Sequence, residues 1–169
     1  MNGRGFRLTQ ERPEPLPRSA FRVFRPMMTR WSDNDAYGHV NNVVYYSYFD
    51  SAVNGWLIDE DLLDIASSPV IGYVVSTSCS YFESISFPDP LEAGIAVTRL
   101  GRSSVEYAIG IFRTAAPAPV AQGHFVHAYV ERTTRRPVEI PQRVREKLAT
   151  LLDDRSPVIP GPRSGARNR

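Results

Sequence analysis

The stretch Asp33-Asn-Asp35-Ala-Tyr-Gly38-His39-Val-Asn41-Asn42 gathers two carboxylates, an imidazole and carboxamides into ten residues. Carboxylate and imidazole groups can move protons near neutral pH, and a carboxylate held close to a carbonyl can attack it. The residues that follow, Val43 to Leu57, are crowded with apolar and aromatic side chains. A polar cluster at the mouth of so apolar a segment needs partners or a function, because burying unpaired charge is costly. Two explanations stand. Either the cluster is a capping loop, with Asn41 or Asn42 satisfying free helix N–H groups and the aspartates facing the helix dipole, or it is a reacting site.

Other familiar chemistry is missing from the chain. There is no Gly-x-Ser-x-Gly elbow, no phosphate-cradling Gly-x-x-x-x-Gly-Lys loop and no His-Glu-x-x-His pair. The three histidines, His39, His124 and His127, are too few and badly spaced for a metal site. His124 and His127 fall on a predicted strand, three residues apart and so on opposite faces. The single cysteine, Cys79, excludes an internal disulfide framework and any multi-cysteine metal site, and reads as a small buried hydrophobe. No metal and no bound cofactor is expected.

The net charge of +2 conceals an asymmetry: residues 31–98 hold ten carboxylates and no lysine or arginine. Nineteen of the twenty basic residues are arginine, whose planar fork suits phosphate. At a predicted strand turn, Arg102, Ser103 and Ser104 could hold the phosphates of a ligand. The alternative is a solvated arginine-rich surface. No concentrated basic helix or nucleic-acid signature is present, so nucleic acid is not an expected partner. No apolar run reaches membrane-spanning length and the first residues lack a secretory signal's apolar core, so the expected setting is the cytoplasm, without a membrane partner.

The elements that must position the cluster follow from patterning. Residues 1–19, with prolines at 13, 15 and 17, read as a flexible arm, and residues 153–169 as a disordered Arg/Pro-rich tail. One domain covers 20–152. Strands are expected over Phe21–Arg30, Val70–Ile85, Ala93–Leu100, Ser104–Arg113 and Val120–Arg132, with a turn at Phe87-Pro-Asp-Pro and a closing helix over Gln142–Leu152. For Val43–Leu57, propensity favours a strand, and Asn54-Gly55 offers a hairpin turn. Against that, Tyr45, Phe49, Ala52, Val53 and Trp56 repeat at helical spacing, with Asn41 and Asn42 where N-caps would stand. The periodicity predicts a helix buried on most sides, loosened at Gly55. The class is then α+β, an antiparallel sheet of about five strands on a long early helix.

The ten-residue segment resembles the signature of the hotdog-fold thioesterases of the 4-hydroxybenzoyl-CoA thioesterase superfamily. It is similar in particular to the long-chain acyl-CoA branch, with its Asp-x-Asp-x-x-Gly-His-Val-Asn-Asn motif. The aromatic run Tyr45, Tyr46, Tyr48 and Phe49 fits as well, and Arg99–Ser104 and Thr134–Pro141 resemble weaker family features. Plant acyl-ACP thioesterases share the Asp and His positions but carry Asn where this chain has Tyr37. The resemblance implies a hotdog fold, hydrolysis of acyl-CoA in fatty acid metabolism, and sites formed between subunits of a homodimer or homotetramer. It implies Asp35 as general base or nucleophile, and the backbone N–H at or near Asn42 as the donor that polarises the thioester oxygen. His39 would orient water or Asp35, and Gly38 and Asn41 would line the substrate. Asp33 reads as structural. Glu83 either reaches the site or is a solvated strand residue. The rival readings are an acyl-thioester hydratase or dehydratase on the same fold, and an acyl-CoA-binding regulatory domain without turnover.

Overall fold

The computed structural model describes residues 13–152. The first twelve residues of the arm and the tail from 153 lie outside the described residues. In chain order the elements are β1 (Val23–Met28), α1 (Val44–Asp59), β2 (Val70–Tyr81), β3 (Pro90–Leu100), β4 (Ser104–Arg113), β5 (Ala121–Glu131) and α2 (Gln142–Ala149). All strand pairs are antiparallel, in the order β1-β3-β4-β5-β2. The meander β3–β4–β5 forms the centre, and the two strands that flank α1 in sequence take the edges.

The competition over Val43–Leu57 is settled in favour of helix. Tyr45, Phe49, Ala52, Val53 and Trp56 are all buried, in one core with Ile95, Tyr107, Ile109 and Phe125 of the sheet. Each large apolar side chain so buried contributes about 1.5–3 kcal/mol. The whole β-propensity scale spans only about 1 kcal/mol per residue, so burial decides. The helix runs through Gly55 without interruption. The guanidinium of Arg25, paired with Asp59 one helical turn later, occupies the space where a side chain at 55 would stand.

Two expectations are corrected. Neither Asn41 nor Asn42 is the N-cap of α1. Val43 holds that position with no side-chain cap, and Asn41 Oδ1 accepts the Val43 N–H at 3.2 Å. The second strand ends at Tyr81 rather than Ile85, because Phe82 and Glu83 both donate to the single carbonyl of Val120, which closes the ladder. At Gly123 on β5, an added Cβ would stand 2.0 Å from the Ser78 carbonyl and 2.7 Å from the Phe49 ring. Only glycine lets helix and sheet approach so closely there.

On the face of the sheet away from α1, Phe21, Phe24 and Phe112 pack edge to face, with Leu16 and Ala20 over them. Gln122 ties down this part of the chain, accepting from the Leu16 N–H at 2.7 Å and donating to the Glu14 carbonyl at 3.0 Å. His124 and His127 do lie on opposite faces of β5. His124 Nδ1 stands 2.7 Å from Glu106, while His127 is buried against Phe125 and Tyr107. No helix among the described residues is long and apolar enough to cross a membrane.

Candidate active site

The loop from Asp33 to Asn42 is closed by its own backbone. The Asp35 N–H donates to the His39 carbonyl at 2.8 Å, the Gly38 N–H donates to the Asp35 carbonyl at 3.1 Å, and Asn34 bridges Val40. Gly38 turns the chain with φ +80°, a conformation L side chains rarely adopt. The loop is sewn to the sheet by the Val40 N–H, which donates to the Ile85 carbonyl at 2.8 Å, and by Tyr81 at the end of β2, whose hydroxyl donates to the Asn42 carbonyl at 2.9 Å.

Asp33 and Asp35 have different surroundings. Asp33 is 1% exposed. Its carboxylate accepts from the Arg30 backbone at 2.7 Å, from the Arg30 side chain at 3.0 Å and from the Tyr48 hydroxyl at 2.8 Å. Burial by itself pushes its pKa up, but these donors hold it below the usual carboxylate range. Burial, with the Asp33 carboxylate beside it, pushes the Tyr48 phenol up. Asp33 is thus a fastener between loop and helix. Asp35 is half-buried and uses only Oδ1 within the loop, accepting from the Tyr37 N–H at 2.8 Å and the His39 N–H at 3.5 Å. Its Oδ2 accepts from no described residue.

Asp35, His39 and Asn42 open onto one cavity of about 380 Å³, walled by Tyr45 of α1, Tyr81 of β2 and the turn Phe82-Glu83-Ser84. The Asn42 N–H has no acceptor among the described residues and stands two residues ahead of α1. Free N–H groups at a helix start favour negative charge on a nearby oxygen. The structure therefore brings together the three residues singled out as catalytic, with Gly38 and Asn41 in the same loop.

It does not bring Arg102, Ser103 and Ser104 to that cavity within one chain. They form the β3–β4 turn at the start of β4, and Arg102 pairs with Glu139. Arg113, at the other end of β4 and about 30 Å away at ~3.3 Å per residue, reaches the cavity wall instead. It donates to Glu83 at 2.8 Å and to the Ser84 carbonyl at 2.5 Å. Glu83 is therefore a second carboxylate on the cavity wall, past the end of its strand and held by Arg113. Sequence reading passed over Arg113, and no local pattern around it or after Tyr81 marks it. Cys79 is half-buried, and burial pushes its thiol up to about 11, which leaves little nucleophilic thiolate.

A five-stranded antiparallel sheet packed on one long buried helix, with a carboxylate and free N–H groups at the helix entry, defines a hotdog-fold protein of the thioesterase kind. The chain belongs to the thioesterase-like superfamily, whose family model matches residues 29–148. Among solved structures it is similar to the PA5185 protein of Pseudomonas aeruginosa, with 50% identity and a TM-score of 0.81 over 84% of this chain and 99% of that one. The fold also matches a 1,4-dihydroxy-2-naphthoyl-CoA thioesterase from Synechocystis, with 18% identity and a TM-score of 0.68 over 76% of this chain and 96% of that one. No curated protein matches the chain by sequence.

Proposed function

We propose that this protein hydrolyses acyl-CoA thioesters to a free carboxylic acid and coenzyme A, without a metal or bound cofactor. The carrying observation is the single cavity onto which Asp35, His39 and the free Asn42 N–H all open. The thioester carbonyl oxygen takes the Asn42 N–H. Asp35 Oδ2 either draws a proton from a water that attacks the carbonyl carbon or attacks that carbon itself. In the second route water then cleaves the mixed anhydride. Either way the C–S bond breaks, and the sulfur leaves as a thiolate whose conjugate thiol has a pKa of about 8.5 by analogy with cysteine, so no strong acid is needed to protonate it. His39 orients the water.

The same reading makes the protein at least a homodimer. β2 is an edge strand of twelve residues with Tyr73, Val74 and Val75 exposed. A long apolar edge of this kind invites pairing with a second copy. The test of function is thiol release across a panel of acyl-CoAs, with hydration of crotonyl-CoA run beside it. Release supports hydrolysis. Hydration without release supports a hydratase that uses Glu83 as its second carboxylate, and saturable binding with neither supports a regulatory domain.

A further inference from the structure

Among the described residues four tyrosines are buried, Tyr45, Tyr48, Tyr107 and Tyr129. Tyr48 gives its proton to Asp33, and the hydroxyls of Tyr107 and Tyr129 are sealed inside the core. Tyr45 differs from all three. It is 3% exposed, its hydroxyl has no hydrogen-bond partner among the described residues, and that oxygen is not sealed from solvent. The cavity it lines is the one onto which Asp35 opens. A buried ring with an open, unpartnered O–H on a cavity wall calls for an acceptor that the chain does not supply.

The start of α1 brings this side chain to the Asn42 N–H. Tyr45 follows Asn42 by three residues and so shares its side of the first turn. Helical side chains lean back towards the N-terminus and cover the turn before their own Cα, which for Tyr45 is the turn entered through Asn42 and Val43. The ring is held edge to face by Tyr81, with centroids 5.0 Å apart, and by Tyr48 at 5.9 Å. Both of these clamps are tied down in turn, Tyr81 through the Asn42 carbonyl and Tyr48 through Asp33. The ring is therefore fixed before any substrate arrives, and a fixed donor acts on developing charge without the cost of reorganisation.

The chemistry open to this hydroxyl is narrow. Burial pushes the Tyr45 phenol up to about 12. It is a neutral O–H near pH 7 and cannot serve as a base. It also holds its proton too tightly to pass it to a leaving thiolate, whose thiol has a pKa of about 8.5. Hydrogen-bond donation without proton transfer is what remains. The tetrahedral adduct of a thioester carries its charge on one oxygen with several lone pairs, of which the Asn42 N–H fills one.

We propose that Tyr45 is a catalytic residue whose hydroxyl is the second donor to the thioester oxygen, completing with the Asn42 N–H the place where negative charge develops. The assignment rests on the hydrolase reading. As the nucleophile bonds to the carbonyl carbon, the C=O π electrons move onto that oxygen and both donors tighten on it. The electrons return as the C–S bond breaks, and the Tyr45 proton stays where it was.

Tyr45→Phe keeps the ring and its packing and removes only the O–H. Thiol release from benzoyl-CoA and palmitoyl-CoA should show a kcat lower by ~10²-fold, the usual loss for one oxyanion donor. KM should stay close to wild type, because the bond strengthens in the transition state. Tm should not fall, since the free protein loses no hydrogen bond, and the pH profile of kcat should keep its shape. Near wild-type kcat overturns the assignment. So does a shifted acid limb, which would mean that the hydroxyl acts on the Asp35 carboxylate instead.

A second measurement reads the carbonyl itself. Asp35→Asn should hold the ester while turning it over slowly, so the C=O stretch of bound benzoyl-CoA, labelled with ¹³C at the carbonyl, can be followed by difference infrared spectroscopy. The stretch should lie below that of the free ester in Asp35→Asn and move back towards it in Asp35→Asn/Tyr45→Phe. An identical stretch in the two proteins overturns the assignment, whatever happens to kcat or Tm. A wild type that releases thiol from no ester of the panel overturns the hydrolase reading and this assignment with it, whereas release that Tyr45→Phe leaves untouched overturns this assignment alone.

Discussion

The Tyr48 hydroxyl, one turn into α1, donates to the Asp33 carboxylate at 2.8 Å inside the core. The same carboxylate binds the backbone and side chain of Arg30, and the Asp33 carbonyl accepts the Asn41 N–H at 2.8 Å. One buried residue thus fixes both ends of the loop that carries Asp35. Tyr48→Phe removes the donor and leaves the carboxylate short of a partner, a loss of about 1–3 kcal/mol. Thermal melting should show the lower Tm, and thiol release should show a several-fold lower kcat because the loop is held less firmly. An unchanged Tm would remove Asp33–Tyr48 as the fastener.

Stability should depend on pH through two separable groups. His127 is buried with no partner, and burial lowers its pKa from 6.5 to about 4. The unfolded chain therefore takes up a proton below pH 6.5 that the folded one refuses. The resulting loss of stability, at most about 1.4 kcal/mol per pH unit, runs from pH 6.5 down to about 4 and then stops. Asp33, held below its ordinary 3.8, adds its stabilisation above that value and loses it only as the pH falls through its lower folded value. Denaturant melts of wild type and His127→Leu across pH 7 to 4 should differ in slope over the upper window. Parallel curves would mean that His127 is not neutral in the fold.

The outcome for these residues shows what was legible in the sequence. The helical stripe from Tyr45 to Trp56 and the motif from Asp33 to Asn42 are local patterns, and both were readable. Burial of the stripe overrode the β-propensity of the same residues. What could not be read was set by contacts distant in sequence. The end of β2 at Tyr81 depends on the Val120 carbonyl. The placing of Arg113 rather than Arg102 near the site depends on which end of β4 faces the loop, and no local pattern encodes that.

Asp35→Asn keeps the size of the side chain and removes its basicity and nucleophilicity. It should lower kcat by at least ~10²-fold, the usual range for general-base work, and leave KM nearly unchanged because the carboxylate matters mainly in the transition state. Asp33→Asn should lower Tm more than kcat, and His39→Ala should fall between the two in rate. A folded Asp35→Asn variant with near wild-type kcat would make the loop a structural connection, since Asn serves a turn as well as Asp does.

The free edge of β2 carries the last prediction. Val75 is 61% exposed at the middle of the strand, beside the irregularity between Val74 and Ser76 in its pairing with β5. A lysine there brings two like charges close together when the edges of two copies meet, and charged residues are a common way to block edge pairing. Wild type should show at least twice the 19.0 kDa chain mass by light scattering. Val75→Lys should shift towards the single-chain mass and lose turnover with it, because each Asp35 would lose the neighbouring copy that completes its site. A Val75→Lys protein that stays dimeric places the interface elsewhere. One that becomes monomeric yet keeps full activity shows that a single chain holds the whole site.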